Sequence, residues 1–197
     1  MTLQPDPPAR IPRVDPADYT DEHRAFFEKW AGGNFQRADE NPVLRTFAHH
    51  PKLAGLFSEL NVHLLRTNTV PVKLRQIAIM RLAWITRTTY MWSSHLNTSR
   101  LFGLSDEMYA PLLVGASDPY FTDFERWVIR ATEELVADQR IGEEVWNALR
   151  QEWTYPQMLD FLFTVGCYVA VAGVMNSTMA ERDPDLLALA EKYGAPS

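Results

Sequence analysis

The chain has a single cysteine, Cys167, in 197 residues. One thiol cannot build a disulfide framework or a dithiol redox pair, and such sparse cysteine fits a reducing cytoplasm. Basic residues are outnumbered by acidic ones, 19 to 25, for a formal charge of −6. Lys and Arg are scattered singly, so no basic stripe exists to displace counterions from a nucleic acid. The longest apolar run, Phe161 to Met175, is flanked by Asp160 and Asn176 and is short for a bilayer span. The proline-rich N-terminus does not read as a signal peptide. Glycine-rich phosphate loops, nucleophile elbows and dinucleotide fingerprints are all missing. So is the alternating pattern of a strand. These absences leave a soluble cytoplasmic protein that binds neither nucleic acid nor membrane.

Hydrophobic residues make up 46% and charged residues 22%, the balance of a globular domain. Pro5, Pro7, Pro8, Pro12 and Pro16 keep residues 1–19 out of a helix, as an extended arm that either wraps a neighbouring subunit or hangs free. Residues 20–197 read as one all-helical domain. Thr20 opens a helix through Trp30, stopped at Gly32-Gly33. Asn41-Pro42 caps a short helix to His49. Pro51 starts another, whose stripe Leu53, Leu56, Phe57, Leu60 and Leu64 is expected to face inward. Helices also open at Pro71, at Thr88 or Thr89, and at Ser105; Gly103 supplies a C′ stop. Thr122–Glu125 and Thr154–Gln157 fit capping boxes, and Asp183-Pro184 opens a last helix ended by Gly194. The helix from Tyr155 to about Met179 is apolar nearly all round, which places it at the bundle centre or between subunits. Gly166, Ala170 and Gly173 would let another helix approach it.

The densest pattern is PVKLRQIAIMRLAWITRTTYMWSSHLNTSRLFG, Pro71 to Gly103. Thr88, Met91, Trp92 and His95 share one helical stripe, and Gln76, Met80, Ala83 and Arg87 another. Ala83-Trp84, Tyr90, Trp92 and His95, set in this apolar skeleton, resemble the carboxymuconolactone decarboxylase/AhpD-like superfamily. The resemblance covers roughly 41–183 and implies an AhpD-like all-α bundle that assembles as a dimer, trimer or hexamer. The redox branch has a Glu, then Cys-x-x-Cys, then His; here Gln76, Thr88 and Met91 occupy the first three positions and His95 the fourth. In the cysteine-free branch, Met91 replaces a Glu. Later, FTVGCYVAVAGVMNS matches at Tyr168 and Asn176, with Val169 where a His is common.

His95 is the acid–base candidate, because imidazole exchanges protons near neutrality; its alternative is a hydrogen-bonded core histidine. Tyr90 can donate a proton or hold an oxyanion, or it is an aromatic staple at a helix start. Gln76 can bind substrate or orient His95. Trp84, Thr88, Met91, Trp92, Tyr168, Asn176 and His63 complete the expected substrate-binding set, with core packing as the alternative for the aromatics. Glu59 and His63 stand four apart and can face each other. His49-His50 diverge on a helix, so no metal is expected, and no cofactor. The resemblance implies a cofactor-independent lyase or isomerase acting on a small hydrophobic carbonyl, lactone or carboxylate compound. A non-catalytic oligomer that binds a hydrophobic ligand or a partner protein is the alternative. A hydroperoxide reductase lacks its thiols.

Overall fold

Local capping chemistry sets most of the helix boundaries. The computed structural model describes residues 8–30 and 38–196, so the Gly32-Gly33 stop and residues 1–7 of the arm lie outside the described residues. Among the described residues there are ten α-helices: α1 Asp21–Trp30, α2 Pro42–Phe47, α3 Pro51–Arg66, α4 Val72–Ile85, α5 Thr89–Leu101, α6 Tyr109–Val114, α7 Asp123–Asp138, α8 Glu143–Glu152, α9 Tyr155–Thr178 and α10 Pro184–Tyr193. No strand occurs among the described residues. The Asn41 side chain accepts from the Val43 and Leu44 amides at the start of α2. Thr122 with Glu125, and Thr154 with Gln157, form complete capping boxes on α7 and α9. Gly103, at φ +73°, ends α5 in the left-handed conformation that a side chain resists.

Two apolar clusters result. The larger gathers α4, α5, α7, α8 and α9 around Ile77, Met80, Leu82, Trp92, Val128 and Phe161. The smaller joins Val14, Phe26, Phe27, Trp30, Leu44 and Ala54 from the N-terminal helices. Phe57 and Leu65 of α3 pack against both. The described part of the N-terminal arm docks on its own chain. Arg10 N–H donates to Thr178 O, Val14 N–H to Arg45 O, and Arg13 pairs with Asp183 at 3.0 Å.

The expected inward stripe of α3 divides: Leu64 is buried and Phe57 packs on the core, but the other three leucines turn outward. Leu53, Leu56 and Leu60 are exposed, while Ala54, Ser58, Asn61 and Leu64 face the core. Ser58 is tolerated there because its hydroxyl accepts from Trp30 Nε1–H and donates to Ala54 O. Arg87 also leaves its expected stripe: α4 stops at Ile85, and Arg87 is exposed at φ 54°. Helix α9 spans 24 residues, longer than its uninterrupted apolar run, and is long and apolar enough to cross a membrane by length and composition. Its buried residues, among them Phe161, Val165, Tyr168 and Ala172, join the larger core; Tyr155, Leu159, Phe163 and Val174 are exposed. A Cβ added at Gly166 or Gly173 would meet nothing within 4 Å, so no helix among the described residues fills that small-residue surface.

Candidate functional site

The seam between the two clusters is where the chain leaves space. A cleft of about 1240 Å³ opens there, with His95, Tyr90, Tyr168, Arg75, Ser94 and Asn68 among its walls. A pocket of about 80 Å³ also has His95, Tyr90 and Tyr168 in its lining, beside Leu44, Phe47, Phe57, Met91 and Met175. His95 therefore stands between a wide, partly polar space and a small apolar one.

Its geometry is fixed from behind. His95 Nδ1–H donates to Gln76 Oε1 at 2.8 Å, and Ser99 Oγ–H donates to the same oxygen at 3.3 Å. That bond selects the tautomer, so the lone pair lies on Nε2, which has no hydrogen-bond partner among the described residues. The Tyr168 ring meets the imidazole edge-on, centroids 5.4 Å apart. Burial, then the Arg75 guanidinium, lowers the His95 pKa to about 3. His95 is thus a neutral acceptor throughout the physiological range, and an activity limb near the ordinary imidazole value is not expected.

The same shift makes His95 an acid liability for the fold. In the unfolded chain the imidazole takes up a proton as pH falls below 6.5, whereas in the fold it stays neutral to about 3. The stability this group contributes is complete above pH 6.5 and is lost as pH drops through that window. Between pH 7 and pH 5 the expected loss is about 2 kcal/mol. Urea unfolding at the two pH values checks this, and His95→Gln should flatten the difference.

Burial raises the pKa of both Tyr168 and Tyr90, so both phenols are protonated donors. They differ in what occupies them. Tyr90 OH lies against the Asn41 side chain and the Val43 backbone at the start of α2, whereas Tyr168 OH has no hydrogen-bond partner among the described residues. The free donor beside His95 is Tyr168.

Several other expected site residues lie elsewhere. Trp92 is fully buried, packs on Trp84 at 5.3 Å and donates Nε1–H to Gly194 O. Neither tryptophan lines the cleft or the pocket. Thr88 is the N-cap residue of α5, its hydroxyl 2.9 Å from that of Thr86. Asn176 Nδ2–H caps the end of α4 at Thr86 O. His63 is exposed and donates to Asp160 rather than meeting Glu59, which pairs with Lys29. Gln76 is fully buried behind His95 and orients it without entering the cleft. His49 donates to Pro12 O, and His50 Nδ1 accepts from Leu53 N–H at the start of α3. Among the described residues no three His, Cys, Asp or Glu converge as a metal site.

Arg75 was legible only as a scattered surface charge, yet it is 6% exposed and reaches the cleft. The signal available was its place on α4, where Arg75, Ile79 and Leu82 fall on one inward stripe.

Protein-family profiles and curated proteins give no match to this chain. Solved structures do. Over 95% of this chain and 99% of theirs, the resemblance to a Cys-to-Ala variant of the debrominase Bmp8 in complex with 2,3,4-tribromopyrrole has a TM-score of 0.78 at 11% identity. The chain has the AhpD-like fold. An alkylhydroperoxidase AhpD core, an uncharacterized peroxidase-related protein from Ralstonia eutropha JMP134, matches at TM-score 0.75 and 15% identity over 97% of this chain and 99% of that one. An uncharacterized peroxidase-related protein from Silicibacter sp. TM1040 matches at 0.72 and 16%, over 100% and 99%. Thr88 and Met91, which the sequence resemblance sets against the redox branch's cysteines, carry no thiol. This chain's own Cys167 sits on α9, with its thiol pKa pushed up to about 11 by burial, which leaves almost no thiolate near neutral pH.

Proposed function

We propose that the chain is a cofactor-independent enzyme of the lyase or isomerase type, acting on a small, largely apolar carbonyl, lactone or carboxylate compound. The observation that carries this reading is His95, held through Nδ1 by Gln76 with Nε2 unpartnered among the described residues, in the lining of both the cleft and the apolar pocket. Proteins of this fold include one bound to a small halogenated heteroaromatic ring, which supports a compact planar ligand here. His95 Nε2 accepts the proton next to the substrate carbonyl as negative charge grows on the carbonyl oxygen. Tyr168, protonated, lining the same spaces as His95 and without a hydrogen-bond partner among the described residues, would donate to that oxygen; Tyr90 would shape the wall beside α2. A histidine with so low a pKa does not store the proton. It holds one only while a negative charge on the substrate stands beside it.

The test is a turnover screen of purified protein against lactones, enones and small carboxylic acids, without added cofactor. An organic hydroperoxide with a dithiol reductant forms a separate arm. The expected result is turnover in the first set and none in the peroxide arm. Thiol-dependent peroxide turnover that vanishes in Cys167→Ser would replace this reading with a reductase. Ligand binding with no turnover across the set would favour a binding protein.

The active unit is proposed to be a homo-oligomer. Leu53, Leu56 and Leu60 of α3 and Leu159 and Phe163 of α9 are large exposed apolar side chains. The His63–Asp160 bond ties the two helices together. Large apolar side chains left exposed in this number support a contact surface. Light scattering should give a multiple of 22.6 kDa, and Leu56→Asp combined with Phe163→Asp should shift it toward one chain. A wild-type monomer at micromolar concentration would sink the assembly.

A further inference from the structure

The geometry points to Arg75 as an anion-binding residue of the His95 cleft, one that takes a single negatively charged oxygen group of the ligand. This rests on reading the cleft as the functional site, and it specifies which molecules enter. Arg75 is 6% exposed, on α4 immediately before the glutamine that orients His95. Among the described residues its guanidinium makes one hydrogen bond, Nη2–H to Leu65 O at 3.1 Å, and its Nε has no partner. No carboxylate lies within ion-pair distance of it among the described residues.

The contrast with Arg81, on the same helix, is direct. Arg81 donates to Glu133 at 2.7 Å and to the carbonyls of Leu112 and Leu113. That is how a buried guanidinium is ordinarily satisfied. Arg75 has only one carbonyl, in the last turn of α3, where the helix dipole is negative. A buried cation left so incompletely paired is costly unless something that enters the cleft completes it.

The cleft walls narrow the choice. Asp183 and Asp185 also line it; Asp183 is paired with Arg13, and Asp185 appears in no ion pair. A multiply charged anion would meet repulsion on the way to Arg75. A planar monoanion with an apolar body would meet less, and its body can lie toward the apolar pocket past Tyr168. The position has a chemical consequence. Arg75 and burial together hold the His95 pKa down, so an anion docked on Arg75 offsets the repulsive charge and makes Nε2 a stronger base. The ligand's own charge would then prepare the group that acts on it.

The test uses the full chain and two nearly isosteric probes, benzoate and benzamide, with the His95 ring resonances followed by NMR. Benzoate should perturb His95 at tens of millimolar or below and bind about tenfold or more tightly than benzamide. Sulfate should compete poorly. Arg75→Met should remove the preference for benzoate while leaving benzamide binding within about twofold, and its thermal midpoint should not fall, because a well-packed apolar replacement relieves an unpaired buried charge. Equal affinities for the two probes in the wild type overturn the assignment whether or not any variant folds. So does a benzoate-insensitive His95, or sulfate that matches benzoate. Absence of turnover in the screen with the benzoate preference intact would remove the enzyme reading and leave the anion site. Turnover of neutral compounds with no anion preference would do the reverse.

Discussion

Replacing His95 with alanine is expected to lower turnover by at least about a hundredfold, since a positioned general base contributes roughly two to four orders of magnitude. The fold should survive the change. His95 is buried, but the group it leaves behind is a neutral amide oxygen that keeps the Ser99 hydroxyl, so no charge is stranded. His95→Gln is the sharper variant. It preserves much of the volume and a polar tip near Gln76, yet has no lone-pair nitrogen to take a proton. Both variants should retain ligand binding within a few-fold while losing turnover. The wild-type kcat/KM should show no histidine limb between pH 5 and 8, because that ratio reports the free protein, whose His95 pKa lies near 3. Rates unchanged in two folded variants would make His95 a structural residue. A limb near 6.5 would mean that the imidazole is not desolvated as the structure has it.

The parts of this molecule legible in its sequence are those whose physics is local. Thr122, Thr154, Asn41 and Gly103 act within three residues of themselves, and their caps form where the sequence places them. The motif helices were legible because the resemblance covers them, and Gln76 meets His95, one of the two roles its sequence position left open. Sequence says less about which way a stripe points. On α3, Leu53, Leu56 and Leu60 share a face, but periodicity cannot tell a face that meets this chain's core from one left for another surface. The inward face carries Ser58 and Asn61, two polar residues that no apolar pattern would select. Trp92 and His95 illustrate the same limit within one helix. Three residues apart, they lean to different neighbours: Trp92 to Trp84 and the end of α10, His95 to Gln76 and Tyr168. Arg75 was hidden for another reason. Lone basic residues are usually solvated, so only the packed structure shows this one to be enclosed and short of partners.

Trp92→Ala is expected to destabilise the protein by about 3–5 kcal/mol, the range for emptying a large aromatic site in a core. The residue is fully buried, packs at a tilt on Trp84 and supplies the hydrogen bond to Gly194 O that pins the end of α10. Trp92→Phe separates those contributions. It keeps most of the apolar volume but leaves the Gly194 carbonyl without its indole donor, for an expected cost of about 1–3 kcal/mol. Helix α10 has other anchors: Tyr193 OH donates to Asp106, and the Arg13–Asp183 pair holds the residue before its first turn. Loss of the indole bond should therefore loosen its end without detaching it. The consequence reaches the site, because Asp183, Asp185 and Leu186 form one wall of the cleft in front of His95. Chemical denaturation should rank wild type above Trp92→Phe above Trp92→Ala. Amide exchange should rise first at residues 190–194 in the Phe variant. Equal stability of wild type and Trp92→Ala would mean that the tryptophan is not packed as the structure places it. Exchange unchanged along α10 in Trp92→Phe would show that its end is held without the indole bond.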